Sequence, residues 1–367
     1  MPRLRIGVNA LYLIPGGVGG TEIYLRSLLG ALAEIDPRNE YFVFTNLETG
    51  PDLVPAALNF SHVPQSVRAE RRPARILWEQ LALPLAARRR RLDVLFNPGF
   101  TAPLLASCPQ VTVFHDMQHK RHPEFFRRFD LPFWRMLLYW SAHRSRRLIA
   151  VSEATRDDLL AFYRLPPGKI AVVPHGVDER MFGIAAVRSP EPFVLCVSTL
   201  HPHKNIARLL QAFAELRRDR PDLKLVLAGL KGFFSREVEA RIAALGLGEA
   251  VRITGWLPRE ELYELFRTAW AFVYPSTFEG FGMPVAEAMA AGVPTACSDI
   301  RPIRDVAGDA ALLFDPLDTA TMTAALRRLV ADVPERARLI AAGSGRTRQF
   351  SWSRAAAATL GVLEASV

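Results

Sequence analysis

The sequence is poor in cysteine: its 367 residues include three, Cys108, Cys196 and Cys297. An odd number of widely spaced cysteines does not provide the disulfide framework that stabilises small secreted domains, and their spacing matches no zinc-binding pattern. We therefore expect a protein of a reducing compartment, without a cysteine-based metal cluster.

Long apolar runs and targeting signals are also missing. Runs such as residues 269–274 and 193–197 are far shorter than the roughly 20 apolar residues that a helix needs to span a bilayer. Arg3 and Arg5 lead into a strand-like segment with no small-residue cleavage site after it, unlike a secretory signal peptide. We expect a cytoplasmic protein without a transmembrane helix.

Patterns of metal ligands are absent as well. No Asp-x-Asp pair stands at the end of a predicted strand, and no group of His, Cys and carboxylate residues has metal-ligand spacing. The sequence predicts no metal site and no cofactor.

Positive charge is abundant, with a formal net charge of +9. Arginines gather at residues 71–72, 88–91, 127–128 and 144–147. Such an excess favours anionic partners such as phosphates and anionic lipid headgroups. For each run by itself, the alternative is a charged surface that contacts only solvent and binds no partner. The sequence lacks the interleaved aromatic residues of a nucleic-acid-binding sheet, so we expect no nucleic-acid partner.

The order of predicted elements indicates an α/β fold. A strand at residues 3–8 is followed by a glycine-rich stretch at 15–20, a helix from Thr21 to before Asp36 and a strand at 41–45. This order is typical of a parallel sheet wound with helices. Further strands are predicted at 94–96, 111–114, 148–151 and 170–173.

A second series of the same kind follows a looser segment at residues 177–192, where we place the linker. It begins with a strand at 193–197 and a helix from Asn205, and continues with strands at 223–228, 251–254, 271–274, 295–298 and 311–314. We therefore predict two Rossmann-like domains, at 1–180 and 181–350, followed by a C-terminal helix at 351–367.

The segment at residues 275–292 joins a hydrophobic strand to a helix. Pro284 suits the first helical position, and Gly292 suits the residue just past the helix end. The backbone amides of Phe281, Gly282 and Met283 would then point at an anion, because the loop meets a helix N-terminus.

Two carboxylates belong to this segment: Glu279 in the loop, and Glu287, predicted in the first turn of the helix. Both can face one crevice at the carboxyl edge of the sheet. The alternative makes Glu287 a compensating charge for the helix dipole, worth about 0.3–1 kcal/mol, and Glu279 a solvated loop residue.

The segment resembles the signature of two glutamates in family 4 of the GT-B glycosyltransferases. The resemblance covers nearly the whole chain through the glycine loop, His-Asp at His115, Val-Ser-Glu-Ala-Thr at Val151, Val-Pro-His-Gly-Val-Asp at Val173 and Leu-His-Pro-His-Lys-Asn at Leu200. It implies a GT-B fold, with two Rossmann-like doubly wound parallel-sheet domains facing a central cleft. The domain at 1–180 would bind the acceptor and the domain at 181–350 the nucleotide-sugar donor, while the helix at 351–367 would pack back towards the N-terminal domain. It also implies a retaining, metal-independent transferase that moves a hexose from a nucleotide-diphosphate sugar to a saccharide or a polyprenyl-diphosphate-linked saccharide.

The same resemblance assigns residue roles. Glu287 would hold the donor ribose, Glu279 the sugar hydroxyls and Lys204 the leaving diphosphate. His115 would bond the transferred sugar, and Asp116 would lie close to the acceptor. The catalytic candidates are His115, Asp116, Lys204 and Glu279; the donor-binding candidates are Gly16, Gly17, Gly19, Gly20, Ser198, Lys204, Phe281, Gly282, Met283 and Glu287.

The sequence departs from the family pattern near Lys204. Many relatives have arginines where this chain has Ser198 and His203. Diphosphate neutralisation would then rest on fewer charges, with Arg208 as a substitute. Without the resemblance, Lys204 is also explained as an exposed lysine at a helix start. His115 is then equally explained as a core histidine whose hydrogen bonds are made within the protein.

Two other functions are compatible with a chain that has two Rossmann-like halves. A nicotinamide-dependent oxidoreductase would need Gly-x-Gly-x-x-Gly and an acidic residue after the second strand, whereas this chain has Gly-Gly-x-Gly-Gly and Asn46. A catalytically silent nucleotide-sugar-binding scaffold is the other alternative, which the intact candidate residues argue against.

The sequence predicts the donor and the acceptor as classes and does not identify single compounds. GDP-mannose and dTDP-rhamnose both suit the segment at 115–126, which looks like bacterial mannosyl- and rhamnosyltransferases of polysaccharide assembly, and mannose is favoured slightly. The region at 125–147 mixes aromatic and basic residues, as does a helix at a membrane surface. With the arginines at 88–91 it would hold the protein at the inner face of the plasma membrane; the alternative is an ordinary packed helix.

Overall fold

A computed structural model describes residues 3–17, 19–184, 187 and 189–367. Val18 of the glycine loop and positions 185, 186 and 188 of the predicted linker lie outside this set. The chain divides into two compact units. The first contains Met1–Gly176 and Trp352–Val367, and the second contains Val177–Ser351.

The first unit is built on a seven-stranded sheet with strand order β3-β2-β1-β4-β5-β6-β7. All of its strand pairs are parallel. The strands are β1 (Arg5–Ala10), β2 (Glu40–Thr45), β3 (Phe60–Pro64), β4 (Val94–Asn97), β5 (Gln110–Phe114), β6 (Arg147–Ala150) and β7 (Ile170–Val172). The helices are α1 (Gly20–Ile35), α2 (Arg72–Arg89), α3 (Gln118–Arg121), α4 (Leu131–Arg144) and α5 (Glu153–Tyr163).

The second unit has a six-stranded sheet with strand order β10-β9-β8-β11-β12-β13, again parallel. Its strands are β8 (Phe193–Val197), β9 (Lys224–Ala228), β10 (Val251–Gly255), β11 (Ala271–Tyr274), β12 (Thr295–Ser298) and β13 (Leu312–Phe314). Its helices are α6 (Ile206–Asp219), α7 (Ser235–Ala244), α8 (Arg259–Thr268), α9 (Met283–Ala290), α10 (Arg301–Ala307), α11 (Thr319–Ala331) and α12 (Val333–Thr347).

Hydrophobic patterning explains these elements. The central strands β1, β5 and β11 are buried along almost their whole length, as expected for parallel strands covered on both faces. Helix α6 buries Leu209, Leu210, Phe213 and Leu216 on one face, because residues three and four apart lie on the same side of a helix. The prediction of two parallel-sheet α/β domains is confirmed.

The last helix, α13 (Trp352–Glu364), belongs to the first unit, where it packs on α1. Arg38 forms an ion pair with Glu364 of this helix. The ring of Trp352 lies 5.9 Å from that of Tyr24 on α1. The first unit is thus assembled from two stretches of the sequence.

Strand β3 has no counterpart among the predicted strands. It lies at the edge of the first sheet, where Ser61 and Pro64 are exposed. Edge strands have one solvated side and carry few of the continuous apolar residues by which buried strands are recognised. Among the described residues, no helix is long and apolar enough to cross a membrane.

Candidate functional site

The strand order of the second sheet reverses between β8 and β11. From β8 the chain proceeds to β9 and β10 on one side, and then to β11, β12 and β13 on the other. In open parallel sheets, ligands bind outside the carboxyl ends of the strands at such a reversal. Two loops leave the sheet there: residues 198–205 after β8 and residues 275–282 after β11.

An ion pair joins these loops. The Nζ atom of Lys204 lies 2.5 Å from Oε1 of Glu279 and donates a 3.2 Å hydrogen bond to the hydroxyl of Tyr274. Only 14% of the Lys204 side chain and 13% of the Glu279 side chain are exposed. Lys204 is therefore not the exposed lysine of the alternative interpretation.

Each partner sets the protonation state of the other. Burial by itself would lower the pKa of Lys204, but the Glu279 carboxylate outweighs it and holds this pKa above the ordinary value. Burial by itself would raise the pKa of Glu279, and the Lys204 ammonium holds it below the ordinary value. Both groups are charged at neutral pH.

Backbone contacts fix the two loops to each other. The amide of Thr277 donates to the carbonyl of His203 over 2.8 Å. Asn205, in the left-handed region at φ 57°, donates from Nδ2 to the carbonyls of Pro275 at 3.0 Å and Pro316 at 2.7 Å. Asparagine tolerates this backbone region better than most residues. Asn205 therefore orients Lys204, its neighbour in the chain.

Helix α9 begins at Met283, directly after Gly282 at φ 103°. Within the described chain, the amides of Gly282 and Met283 donate to no other group, so both N–H groups are available to an anion. Pro284 is the second helical residue, and Gly292 at φ 73° follows the helix end. These glycines supply the left-handed conformations at both ends of the helix.

The predicted position of Glu287 in the first turn of the helix is wrong. Glu287 is the fifth residue of α9, and the first turn contains no acidic residue. It does not compensate the dipole, because that interaction is strongest within the first turn. Instead, Glu287 is buried, with 4% of its surface exposed.

Glu287 is paired with Arg259, the first residue of α8. Nη2 of Arg259 lies 2.7 Å from Oε1 of Glu287, and Nε of Arg259 donates to the hydroxyl of Tyr263 over 3.1 Å. Tyr263 in turn donates to the carboxylate of Asp178. Burial by itself would lower the pKa of Arg259, and the Glu287 carboxylate reverses this effect, so the guanidinium stays charged.

The glycine loop of the first unit follows β1, next to the strand-order reversal between β1 and β4. Gly16 donates its amide to the Glu22 carboxylate at 2.7 Å, and Gly17 donates to the carbonyl of Ile14 at 2.9 Å. The amides of Gly19 and Gly20 have no acceptor in the described ranges. Gly19 adopts φ 59° and ψ −127°, which requires glycine.

His115 follows β5 and is buried. Its Nε2 lies 2.8 Å from the carbonyl of Pro98, which can only accept, so Nε2 carries the proton. Nδ1 of His115 then accepts from Nε2 of His175 over 3.4 Å. Burial lowers the pKa of His115 to about 4, so the ring is neutral at physiological pH.

Aromatic rings surround these histidines. The ring of Tyr24 lies 4.8 Å from His115 and 5.0 Å from His175, and Trp352 lies 6.0 Å from His175. Asp116 accepts a hydrogen bond from the amide of Gln118 at 2.9 Å. Both ring nitrogens of His115 are thus engaged within the first unit, and a bond to a sugar would have to replace one of these contacts.

The structure groups the candidates by unit. Ser198, Lys204, Glu279, Glu287 and residues 281–283 lie at the carboxyl edge of the second sheet. The glycine loop, His115 and Asp116 lie at that of the first. Arg208 donates to Asn205 over 3.1 Å. Across the described residues, no group of three or more His, Cys, Asp or Glu side chains could hold a metal ion.

Sequence reasoning missed four residues that contact these groups: Asn205, Tyr274, Arg259 and His175. His175 and Asn205 stand inside motifs quoted for the resemblance, so their positions carried a signal. Arg259 precedes Glu287 by 28 residues and shares no motif with it. A contact at that separation requires the fold.

Two family models match the chain. "Glycosyltransferase Family 4" matches residues 18–180, and "Glycosyl transferases group 1" matches residues 177–346. The O-antigen chain mannosyltransferase B of Escherichia coli is 30% identical over 262 residues, which are 68% of each chain. The chain belongs to glycosyltransferase family 4. This confirms the predicted family and enzyme class.

A second relative of this glycosyltransferase is the MMP α-(1→4)-mannosyltransferase of Mycolicibacterium hassiacum. It is 34% identical over 232 residues, which are 62% of this chain and 56% of the relative.

Two solved structures show the same fold as this glycosyltransferase. Sucrose-phosphate synthase from Thermosynechococcus elongatus has a TM-score of 0.82 at 20% identity and covers 99% of this chain and 98% of that one. The Anabaena protein HepE, in complex with UDP and glucose, has a TM-score of 0.78 at 18% identity and covers 99% and 100%. The fold of this glycosyltransferase is GT-B, as predicted.

Proposed function

We propose that this glycosyltransferase transfers a hexose, with mannose favoured, from a nucleotide-diphosphate sugar to a saccharide acceptor. The observation that carries the proposal is the buried pair of Lys204 and Glu279 beside the start of α9. A cation, a carboxylate and two uncommitted amides meet where a parallel sheet binds ligands.

In the proposed complex the parts of the donor are held separately. The ammonium of Lys204 and the amides of Gly282 and Met283 stabilise the leaving diphosphate, because each carries positive charge or an N–H dipole. The ionised carboxylate of Glu279 accepts hydrogen bonds from sugar hydroxyls. Glu287 accepts from the ribose.

We propose retention of anomeric configuration and no metal requirement. The acceptor hydroxyl attacks the anomeric carbon on the face from which the diphosphate leaves. The carbon–oxygen bond to phosphate breaks as the new glycosidic bond forms, and the departing phosphate oxygen takes the acceptor proton. Lys204 and the loop amides, instead of a metal ion, neutralise the negative charge of the leaving diphosphate.

A donor panel tests the sugar and the base. We expect GDP release with GDP-mannose in the presence of acceptor, and slower turnover with dTDP-rhamnose and UDP-glucose. The similarity to mannosyltransferases supports this order. Faster turnover with dTDP-rhamnose would replace mannose by rhamnose, and NMR of the product would reveal retention or inversion.

The acceptor proposed is a polyprenyl-diphosphate-linked saccharide, with the first unit at an anionic membrane surface. Helix α4 buries Leu137, Leu138 and Ala142, so part of it is an ordinary packed helix. Its other side is exposed and apolar. Phe133, Met136 and Trp140 recur at helical spacing, with 44%, 54% and 47% of their surfaces exposed.

Helix α2 presents a second apolar stripe. Leu77, Leu81 and Leu85 stand four residues apart, and each is more than half exposed. Both helices bond the segment between β4 and β5: Gln80 donates to the carbonyl of Ala102, and the hydroxyl of Ser141 accepts from the amide of that residue. Both helices therefore pack against the same connection between these strands.

Arginines flank this pair of helices, at residues 71–72 and 88–89 on α2 and at residues 127–128 before α4. Exposed apolar side chains rimmed by cations suit insertion among anionic lipid headgroups. Each arginine near such a surface contributes about 1 kcal/mol.

Liposome co-sedimentation tests the membrane proposal. We expect binding to vesicles with anionic lipid at low salt, release at high salt, and weaker binding after Leu81→Glu or Trp140→Glu. Leu317→Glu, at an exposed leucine of the second unit, is the matched control. Absence of binding at low salt would leave a soluble acceptor.

A further inference from the structure

Arg259 makes three contacts through two of its three guanidinium nitrogens. Nη2 contacts Oε1 of Glu287 at 2.7 Å and lies 3.6 Å from Oδ2 of Asp178. Nε donates to Tyr263. The third nitrogen, Nη1, is buried and donates to no group in the described part of the chain.

A buried donor without a partner is costly. A charged guanidinium can donate five hydrogen bonds, and a missing one in a buried place leaves the desolvation of that N–H uncompensated. Such groups are rare in folded proteins, and each calls for a partner outside the chain or a functional role. A bound ligand can therefore supply the hydrogen-bond acceptor that Nη1 lacks.

Glu287, the carboxylate that Arg259 contacts, has the complementary feature. Glu287 is buried and accepts from Arg259 through Oε1, whereas its Oε2 accepts no hydrogen bond from any described residue. One ion pair thus contains a carboxylate oxygen without a donor and a guanidinium nitrogen without an acceptor. A ribose satisfies both, because a hydroxyl group donates and accepts.

The rest of the cluster holds the guanidinium in place. The ring of Tyr263 lies 5.1 Å from Cζ of Arg259, and its hydroxyl bonds both Nε of Arg259 and the carboxylate of Asp178. With Nε and Nη2 fixed, the direction of Nη1 is fixed too, since the guanidinium is planar.

We propose that Arg259 is a donor-binding residue: Nη2 orients Glu287, and Nη1 donates to a hydroxyl oxygen of the nucleoside ribose. The proposal rests on the proposed role of Glu287. Asp178 and Tyr263 are positioning residues that act through Arg259.

Isothermal titration calorimetry with a nucleoside diphosphate, without the sugar, tests the contact between Arg259 and the ribose. Arg259→Met should weaken binding of GDP about 10- to 100-fold, the loss expected for hydrogen bonds to a charged group. The donor KM should rise with kcat changed less than threefold. Inorganic pyrophosphate, which has no ribose, should inhibit Arg259→Met and the unsubstituted enzyme equally.

Two further variants make the result decisive. Arg267→Met, on the same helix, removes an arginine that is paired at the surface with Glu264, and it should leave GDP binding unchanged. Arg259→Lys keeps the charge beside Glu287 but not the planar fork, and it should recover only part of the affinity. Equal weakening of GDP and pyrophosphate in Arg259→Met would overturn the proposal in favour of a general loss of structure.

Glu287→Gln separates the two levels of the proposal. If Glu287→Gln binds GDP normally, the ribose lies elsewhere and the proposed function of the site fails. If Glu287→Gln weakens GDP binding but Arg259→Met does not, only the role of Arg259 fails.

Discussion

Lys204 and Glu279 form a unit whose members should be changed together. Removing Lys204 leaves a buried carboxylate without its cation, which costs about 3–5 kcal/mol of stability in comparable cases. A loss of activity in Lys204→Ala by itself would therefore mix chemistry with folding.

We predict that the double variant Lys204→Met, Glu279→Gln folds about as stably as the parent chain but has kcat lower by at least about 10²–10³, the effect of losing one preorganised stabilising group. Thermal unfolding and steady-state kinetics measure the two effects. Lys231→Ala, at a surface pair with Glu239, is the control and should change neither. A normal rate in the double variant would mean that the diphosphate binds elsewhere.

His115 gives a prediction for stability. In the folded protein its pKa is about 4, below the ordinary histidine value of 6.5, because burial disfavours the charged ring. The stabilising effect of the neutral ring is therefore present above pH 6.5 and is lost as pH falls towards 4, where the unfolded chain binds the proton first. Between about pH 7.5 and pH 5 this linkage amounts to about 2 kcal/mol.

Urea unfolding at both pH values measures the effect. Other groups titrate in the same window, so the difference between variants is the informative quantity. The free energy of unfolding of His115→Phe should fall by about 2 kcal/mol less than that of the parent chain. An identical fall in both proteins would mean that His115 is protonated in the folded state.

At the scale of elements, the start of α6 depends on one residue outside the helix. Asn205 combines a left-handed backbone with two hydrogen bonds to carbonyls of other loops. Asn205→Ala should lose both features, and Asn205→Gly only the hydrogen bonds, because glycine adopts this conformation without strain.

The expected order of stability is parent, then Asn205→Gly, then Asn205→Ala. The alanine variant should be about 1–2 kcal/mol less stable than the glycine variant, the cost of a left-handed conformation for a residue with a β-carbon. Chemical denaturation checks this order. If alanine proves as stable as glycine, the left-handed conformation is not maintained in solution.

Predictability from the sequence also differs between elements. Strands such as β8 and β11 are continuous apolar runs and were predicted at their observed bounds. Strand β3 was missed because only Phe60 and Val63 of its five residues are buried, which is too few for an apolar run. Glu287 was placed in the first turn because the helix was expected to begin at Pro284, whereas it begins one residue earlier, after the left-handed Gly282.

The candidate site follows the same rule. Local motifs pointed to Lys204, Glu279 and His115 as candidates. Tyr274 was missed as a partner of Lys204 because it lies 70 residues away along the chain. His175 stands inside a family motif, but its pairing with His115 spans 60 residues and has no local signal. Such partners become visible only when parallel strands bring the ends of distant segments together.

At the scale of the whole molecule, the proposed chemistry requires no divalent cation, because Lys204 carries the charge that would neutralise the diphosphate. Sugar transfer should continue at an unchanged rate in excess EDTA, as measured by nucleotide-diphosphate release. A loss of activity that Mg²⁺ or Mn²⁺ restores would contradict the metal-free mechanism.

The discontinuous first unit has a consequence for biosynthesis. The ribosome delivers the residues of the second unit as one stretch, Val177–Ser351, whereas the first unit lacks Trp352–Val367 until the whole second unit has been synthesised. Until α13 emerges, the face of α1 that it covers stays exposed, and the aromatic cluster of Tyr24 and His175 lacks the ring of Trp352. Domains usually fold in the order of their synthesis, but here the unit that begins first is completed last.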